Sequence, residues 1–158
     1  MKYFNLHQNC VEIVQDEGSI FTIYFNERSG KVYFRYKIEA IYKIKHPGIY
    51  LGTDKFGNGY FLHNHPHYGK AHIVSEKEFS KDSQIYFYSE KCSNNPIEVI
   101  EIGLNEVLRG ECYKPITWNC QTYANTACHN QRSSEDVGKV ILFFLCVFGF
   151  RLALSKRK

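Results

Sequence analysis

The segment NNPIEVIEIGLNEVLRG, residues 94–110, decides the fold class, because the hydrophobic period changes there. Asn95 followed by Pro96 is a helix start: asparagine caps free N–H groups, and proline at the first helical position has no needed donor to lose. Ile97, Ile100, Leu104, Val107 and Leu108 then recur at helical spacing and stop near Gly110, so an amphipathic helix is expected. Upstream the reading is strand. SIFTIYFN (19–26) and KVYFRYKI (31–38) flank the turn chemistry of ERSG (27–30) and predict a β-hairpin. GIYLGT (48–53) and GYFLH (59–63) flank the loop Asp54 to Asn58 and predict a second one. Residues 11–14, HIVS (72–75) and QIYFYS (84–89) read as further strands. SEKEF (75–79) reads as one helical turn capped by Ser75, with Glu78 at the capping-box position. Downstream, NCQTYANTACHN (119–130) suits a second helix beginning just before Cys120. Strands followed by helices predict an α+β domain, an antiparallel sheet with helices packed on it.

The 158 residues are 44% apolar and 23% charged, which is the composition of one globular domain and not of a disordered chain. Aromatics reach 16%, a bias toward strands. The net charge of +4 is not spread evenly: residues 139–158 carry Lys139, Arg151, Lys156, Arg157 and Lys158 and no acid, which leaves residues 1–138 at −1. The body therefore has no basic surface to track a phosphate backbone, and no nucleic-acid partner is expected. The boundaries follow: residues 1–138 form the domain, with 1–39 either completing its sheet or added to it, and 139–158 form a hydrophobic basic tail. MKYFNLHQNCVEIV shows no apolar stretch before a small-residue cleavage site, so a cytoplasmic location with reduced thiols is expected. The six cysteines contain no C-x-x-C pair, which argues against a zinc ribbon.

Cys120 and His46 are the first candidates for chemistry. A cysteine at a helix start faces the positive end of the helix dipole, which favours thiolate. A histidine on a neighbouring strand can take its proton and return it to a leaving group, and a third polar group can fix the imidazole tautomer.

The flanking residues sharpen this. HPGIYLG (46–52), GYFLHNHP (59–66) and WNCQTYANTAC (118–128) resemble the NC-domain proteins, in the lecithin:retinol acyltransferase-like branch of the NlpC-type cysteine hydrolases. A His opens a strand of the form H-x-x-I-Y-x-G, and a second His closes the next strand. An Asn-Cys pair then begins a helix of the form N-C-x-x-(aromatic)-A-N, here Asn119, Cys120, Tyr123, Ala124 and Asn125. The polar QRSSEDV (131–137) also looks like the segment that follows this helix in bacterial members. The resemblance covers roughly residues 40–138. It implies a permuted papain-like fold with Cys120 as nucleophile, His46 as general base and then acid, and His63 as the residue that orients His46. His65 or Asn64 could fill that third place. It implies an acyl-enzyme mechanism, a hydrolase or acyltransferase acting on phospholipid esters or amides, with no cofactor and no metal. The chain departs from the family's usual N-C-E-H-F, having NCQTY, and carries IYKIK where a proline-glycine-aspartate loop is common.

Two other features carry rival readings. In HNHPH (63–67), His63, His65 and His67 alternate and would share a face on a strand; with Ser75 and Glu78 they resemble the metal motif of JAMM-type metalloproteases. The site could also be inactive, in a membrane-tethered binding module. The tail, VILFFLCVFGF (140–150) followed by Arg151, LAL and SKRK, is apolar from Val140 to Leu154 apart from that arginine. As a helix that stretch would span roughly 22 Å, short of the roughly 30 Å bilayer core, so a surface contact with anionic membranes is expected.

Overall fold

The computed structural model describes residues 1–39, 42–81, 83–88, 92–133 and 138. The apolar tail therefore lies outside the described residues, as does most of the polar segment before it. Among the described residues the strands are β1 (Tyr3–Leu6), β2 (Cys10–Val14), β3 (Ile20–Tyr24), β4 (Val32–Glu39), β5 (Tyr42–Thr53), β6 (Gly59–His65), β7 (Lys70–Ser75) and β8 (Ile85–Phe87). The helices are α1 (Glu76–Ser80), α2 (Pro96–Arg109) and α3 (Cys120–His129). All eight strands join one sheet with antiparallel pairing throughout, so residues 1–39 extend the same sheet that carries the rest. The architecture is α+β, as the order of periods predicts.

Strand β5, twelve residues long, organises the sheet. Ile49 pairs with Val32 of β4 and with Leu62 of β6, while Thr53 pairs with Tyr24 of β3 and Gly59 of β6. A strand has two edges, so β6 lies along one and β3 and β4 share the other. This corrects the first expected hairpin: β3 and β4 do not pair with each other. They run along β5 in the same direction, as one strand interrupted by residues 25–31. The turn chemistry is real, since Asn26 Oδ1 accepts from Arg28 N–H and Ser29 N–H bonds to Asn26 O. The chain makes its excursion and re-enters the same edge, where Gly30 N–H bonds to Tyr50 O and Tyr50 N–H to Lys31 O. Arg28 holds the excursion down: it lies 4.0 Å from the Tyr50 ring centroid and pairs with Glu76 of α1 at 2.7 Å. Gly30 has φ +75° and a Cβ there would fall 2.3 Å from Pro96 O, so the turn also closes against the start of α2.

The apolar run IYL of β5 and the pair Phe61 and Leu62 of β6 are buried on both faces. Ile49, Leu51 and Leu62 join Val99, Ile100, Leu104, Trp118 and Tyr123 in the main core, under α2 and α3. Tyr50 and Phe61 join Val74 and Phe79 in a second cluster, with Phe79 supplied by α1. Each such large side chain, fully buried, contributes roughly 1.5–3 kcal/mol before the entropy cost of ordering it. The helix caps follow the sequence. Asn95 and Glu98 form a reciprocal capping box on α2, and Gly110 ends it in the left-handed conformation. Ser75 caps α1 by accepting from Glu78 N–H. The stripe on α2 is displaced from expectation: Val99, Ile100, Gly103, Leu104 and Glu106 are buried, while Ile97 and Leu108 are exposed. Gly103 explains the displacement. It lets Leu62 and Tyr123 approach so closely that a Cβ would fall 2.9 Å from Leu62 Cδ1, and Tyr123 Oη donates to its carbonyl.

The expectation that the thiols are reduced is corrected at one pair. Cys92 and Cys128 form a disulfide that ties the end of α3 to the segment before α2. Their sequence separation hid this: they stand 36 residues apart, with nothing in the spacing to mark them.

Candidate active site

The ladder between β5 and β6 ends at the pair Ile49–Leu62. His46 lies three residues before Ile49 and His63 just after Leu62, so both stand where β5 and β6 are no longer paired with each other and their side chains can meet. Helix α3 begins at the same place. His46 Nδ1 is 3.1 Å from Cys120 Sγ, and His63 Nε2 is 2.9 Å from His46 Nε2. Cys120, His46 and His63 are all buried. The structure thus brings together the three residues the sequence singles out, in the order sulfur, imidazole, imidazole.

Cys120 is held by the cap before it. Asn119 Oδ1 accepts from the backbone N–H of Gln121 and Thr122 and from Thr122 Oγ1, and its Nδ2 donates to Pro115 O. Asparagine is a strong cap because its short side chain reaches these donors without helical backbone angles of its own. Asn64, one residue beyond His63, is buried and donates through Nδ2 to the carbonyls of Trp118 and Asn119. It therefore ties β6 to the segment that delivers the cysteine, while its Oδ1 is buried without a hydrogen-bond partner. Trp118 is fully buried in the main core, a packing anchor beneath the site, with Arg132 stacked 4.5 Å from its ring centroid.

The histidine run does not form the shared face that a metal reading needs. β6 ends at His65, and His67 lies in a short 3-10 turn, Pro66–Tyr68, that the proline begins. His65 Nδ1 accepts from His67 N–H. Ser75 is the cap of α1, and Glu78 bonds to Tyr68 Oη. Among the described residues no three His, Cys, Asp or Glu side chains converge on a point where an ion could sit.

Electrostatics set the charge of His63. Burial holds the His63 pKa well below the usual imidazole range, and the positive potentials of His46, His65, His72 and Arg35 push the same way. A neutral His63 has one donor and one acceptor nitrogen, so the Nε2–Nε2 contact can run either way. When His63 accepts there, His46 donates from Nε2 and presents Nδ1 to Cys120 as a base would.

The sequence reading missed Arg35. It lies on β4 directly across from His46, and only 3% of it is exposed. Its signal was a charge set between Phe34 and Tyr36 in the aromatic strand KVYFRYKI, where alternation alone would place a polar residue toward solvent. His72 and His129, given no role from sequence, sit respectively beneath Tyr68, at 4.0 Å between rings, and against Ser93.

Compared with family models, curated proteins and solved structures, the chain matches none of them.

Proposed function

We propose that this chain is a cysteine-dependent acyl hydrolase or acyltransferase of the permuted papain-like, NlpC-type group, acting on phospholipid esters or amides. The observation that carries this reading is the buried line from Cys120 Sγ through His46 to His63, with both contacts at hydrogen-bond distance. A nucleophile within reach of a base that is itself oriented by a third group is the arrangement covalent catalysis uses.

The steps follow from the atoms. Cys120 passes its proton to His46 Nδ1, and the sulfur attacks the acyl carbonyl. The tetrahedral intermediate collapses with cleavage of the ester or amide bond, and His46 returns the proton to the departing oxygen or nitrogen. The acyl group is now a thioester on Cys120. Water, or an alcohol or amine acceptor, gives a proton to Nδ1 as it attacks, the carbon–sulfur bond breaks, and the thiol is restored. His63 stays neutral throughout and holds the Nε2 proton of His46. The basic tail, residues 139–158, would bring the enzyme to an anionic membrane surface, which suits a lipid acyl donor.

The test is intact-mass measurement of the full chain after brief incubation with phosphatidylcholine vesicles. The expected result is an added acyl mass, removed by hydroxylamine and lost in Cys120→Ser. An acyl mass that persists in Cys120→Ser, or release of fatty acid that survives that substitution, would overturn the proposal.

A further inference from the structure

Arg35 is a costly residue to bury. A guanidinium cannot shed its charge at ordinary pH, so a buried one needs an anion or a full set of acceptors. Arg35 is 3% exposed, and its Nε is buried with no hydrogen-bond partner. Among the described residues no carboxylate forms an ion pair with it, although Arg28, Arg109 and Arg132 all have acidic partners. Its position explains what it does face. In the β4–β5 register Arg35 is the direct partner of His46, and cross-strand partners share a face with Cβ atoms about 5 Å apart. On its other edge the partner is Ile85 of β8, which offers no charge. The titratable groups of the site tied to it are His46 on β5, its register partner, His63 on β6 and Cys120 on α3. Only Cys120 among these becomes an anion, and its sulfur is the one group that opposes the burial cost on Arg35.

We infer that Arg35 is a positioning residue of the active site, the fixed counter-ion of the Cys120 thiolate. The inference rests on the reading of Cys120 as nucleophile and adds the source of its reactivity. A cysteine–histidine pair must otherwise create two charges in a buried site when the proton moves. Here the positive charge that answers the thiolate is already present and permanent. The same charge disfavours protonation of His63, which keeps that ring neutral and so able to accept the Nε2 proton of His46. Arg35 thus biases two members of the site in the direction the proton transfer needs.

The experiment is alkylation by iodoacetamide from pH 5 to pH 9, followed at single cysteines by peptide mass spectrometry. The chains compared are the full-length protein, Arg35→Met, Arg35→Gln and Arg35→Lys. Cys112, which is exposed, serves as the internal reference. Losing this buried opposite charge should slow Cys120 alkylation at pH 6 by about tenfold or more in Arg35→Met and Arg35→Gln. The limiting rate at pH 9 should be retained, and Arg35→Lys should recover most of the low-pH rate. A purely structural role would instead change the rate at every pH and would not be rescued by lysine. If Arg35→Met fails to fold, the contrast between glutamine and lysine carries the same comparison. Unchanged Cys120 profiles in folded Met or Gln variants would overturn the inference while leaving the nucleophile intact. The same holds for variants that keep the profile and lose only turnover of anionic substrates, since that would make Arg35 a substrate contact. Should Cys120 of the unmodified chain react no faster than Cys112 at pH 6, the nucleophile itself fails.

Discussion

Acidification should unfold this protein through His63 in particular. In the unfolded chain the ring has its ordinary affinity for a proton, near 6.5. In the folded chain burial and the surrounding positive groups hold it well below that value. As pH falls through 6.5 the unfolded state takes up a proton that the folded state refuses, so stability declines with falling pH. The decline continues until the folded ring also protonates. One such group costs on the order of 1–2 kcal/mol for the first pH unit below the ordinary range. His72, also lowered by burial, adds to the same trend. The assay is urea unfolding of the full chain at pH 7.5, 6.5 and 5.5, with the slope against urea held constant across the series. His63→Gln supplies an acceptor for His46 and cannot titrate. It should lose less stability than the unmodified chain between pH 6.5 and 5.5, by about 1 kcal/mol. Parallel losses in the two proteins, or a gain of stability on acidification, would refute the assignment of a buried neutral His63.

Asn119→Ala removes the cap that positions Cys120 and should cost about 1 kcal/mol, seen as a fall of about 2–4 °C in thermal midpoint. Gly48→Ala should cost about 1–3 kcal/mol in urea unfolding and slow turnover, because the new Cβ would meet Phe79 Cε2 at 2.6 Å while Phe79 is stacked on Phe61 at 4.2 Å, two residues from His46. Replacing Cys92 and Cys128 together by serine should cost roughly 4 kcal/mol from the loop they close, and reductant should lower the urea midpoint of the unmodified chain alone. Deleting residues 139–158 should abolish flotation with anionic vesicles and leave alkylation of Cys120 unchanged; salt should weaken, without abolishing, the binding of the intact chain.

Local signals survived into the structure where local physics decides. Asn95, Pro96, Glu98 and Gly110 bound α2 because capping depends on a few neighbouring residues. The hairpin of β5 and β6 formed around Asp54, whose carboxylate accepts from the N–H groups of Phe56 and Asn58. The failures lie where a distant segment intervenes. Residues 27–30 have turn chemistry in either arrangement, and only the length of β5 lets β3 and β4 lie end to end along one edge. The buried face of α2 turns on Gly103, a residue with no apolar signal, whose value is the room it gives Leu62 and Tyr123. The meeting of Cys120, His46 and His63 was legible because those residue types stand in recognisable local contexts, a helix start and two neighbouring strands. Arg35 was not, since a charge in a strand reads as a solvent-facing position until the register sets it opposite His46.

On the proposed reading, the choice of a histidine as third residue has an electrostatic consequence for the rest of the site. A carboxylate in that place would stabilise the His46 imidazolium by its charge as well as by a hydrogen bond. A neutral His63 offers the hydrogen bond alone. Proton transfer from Cys120 to His46 must then draw its support from the sulfur side of the pair. Two features provide that support: the start of α3, where the helix dipole is positive, and the buried guanidinium of Arg35 across the strand from His46. A carboxylate and a buried arginine in so small a space would pair with each other and leave the thiolate without its counter-ion. A third residue that never carries negative charge leaves Arg35 free to serve the nucleophile.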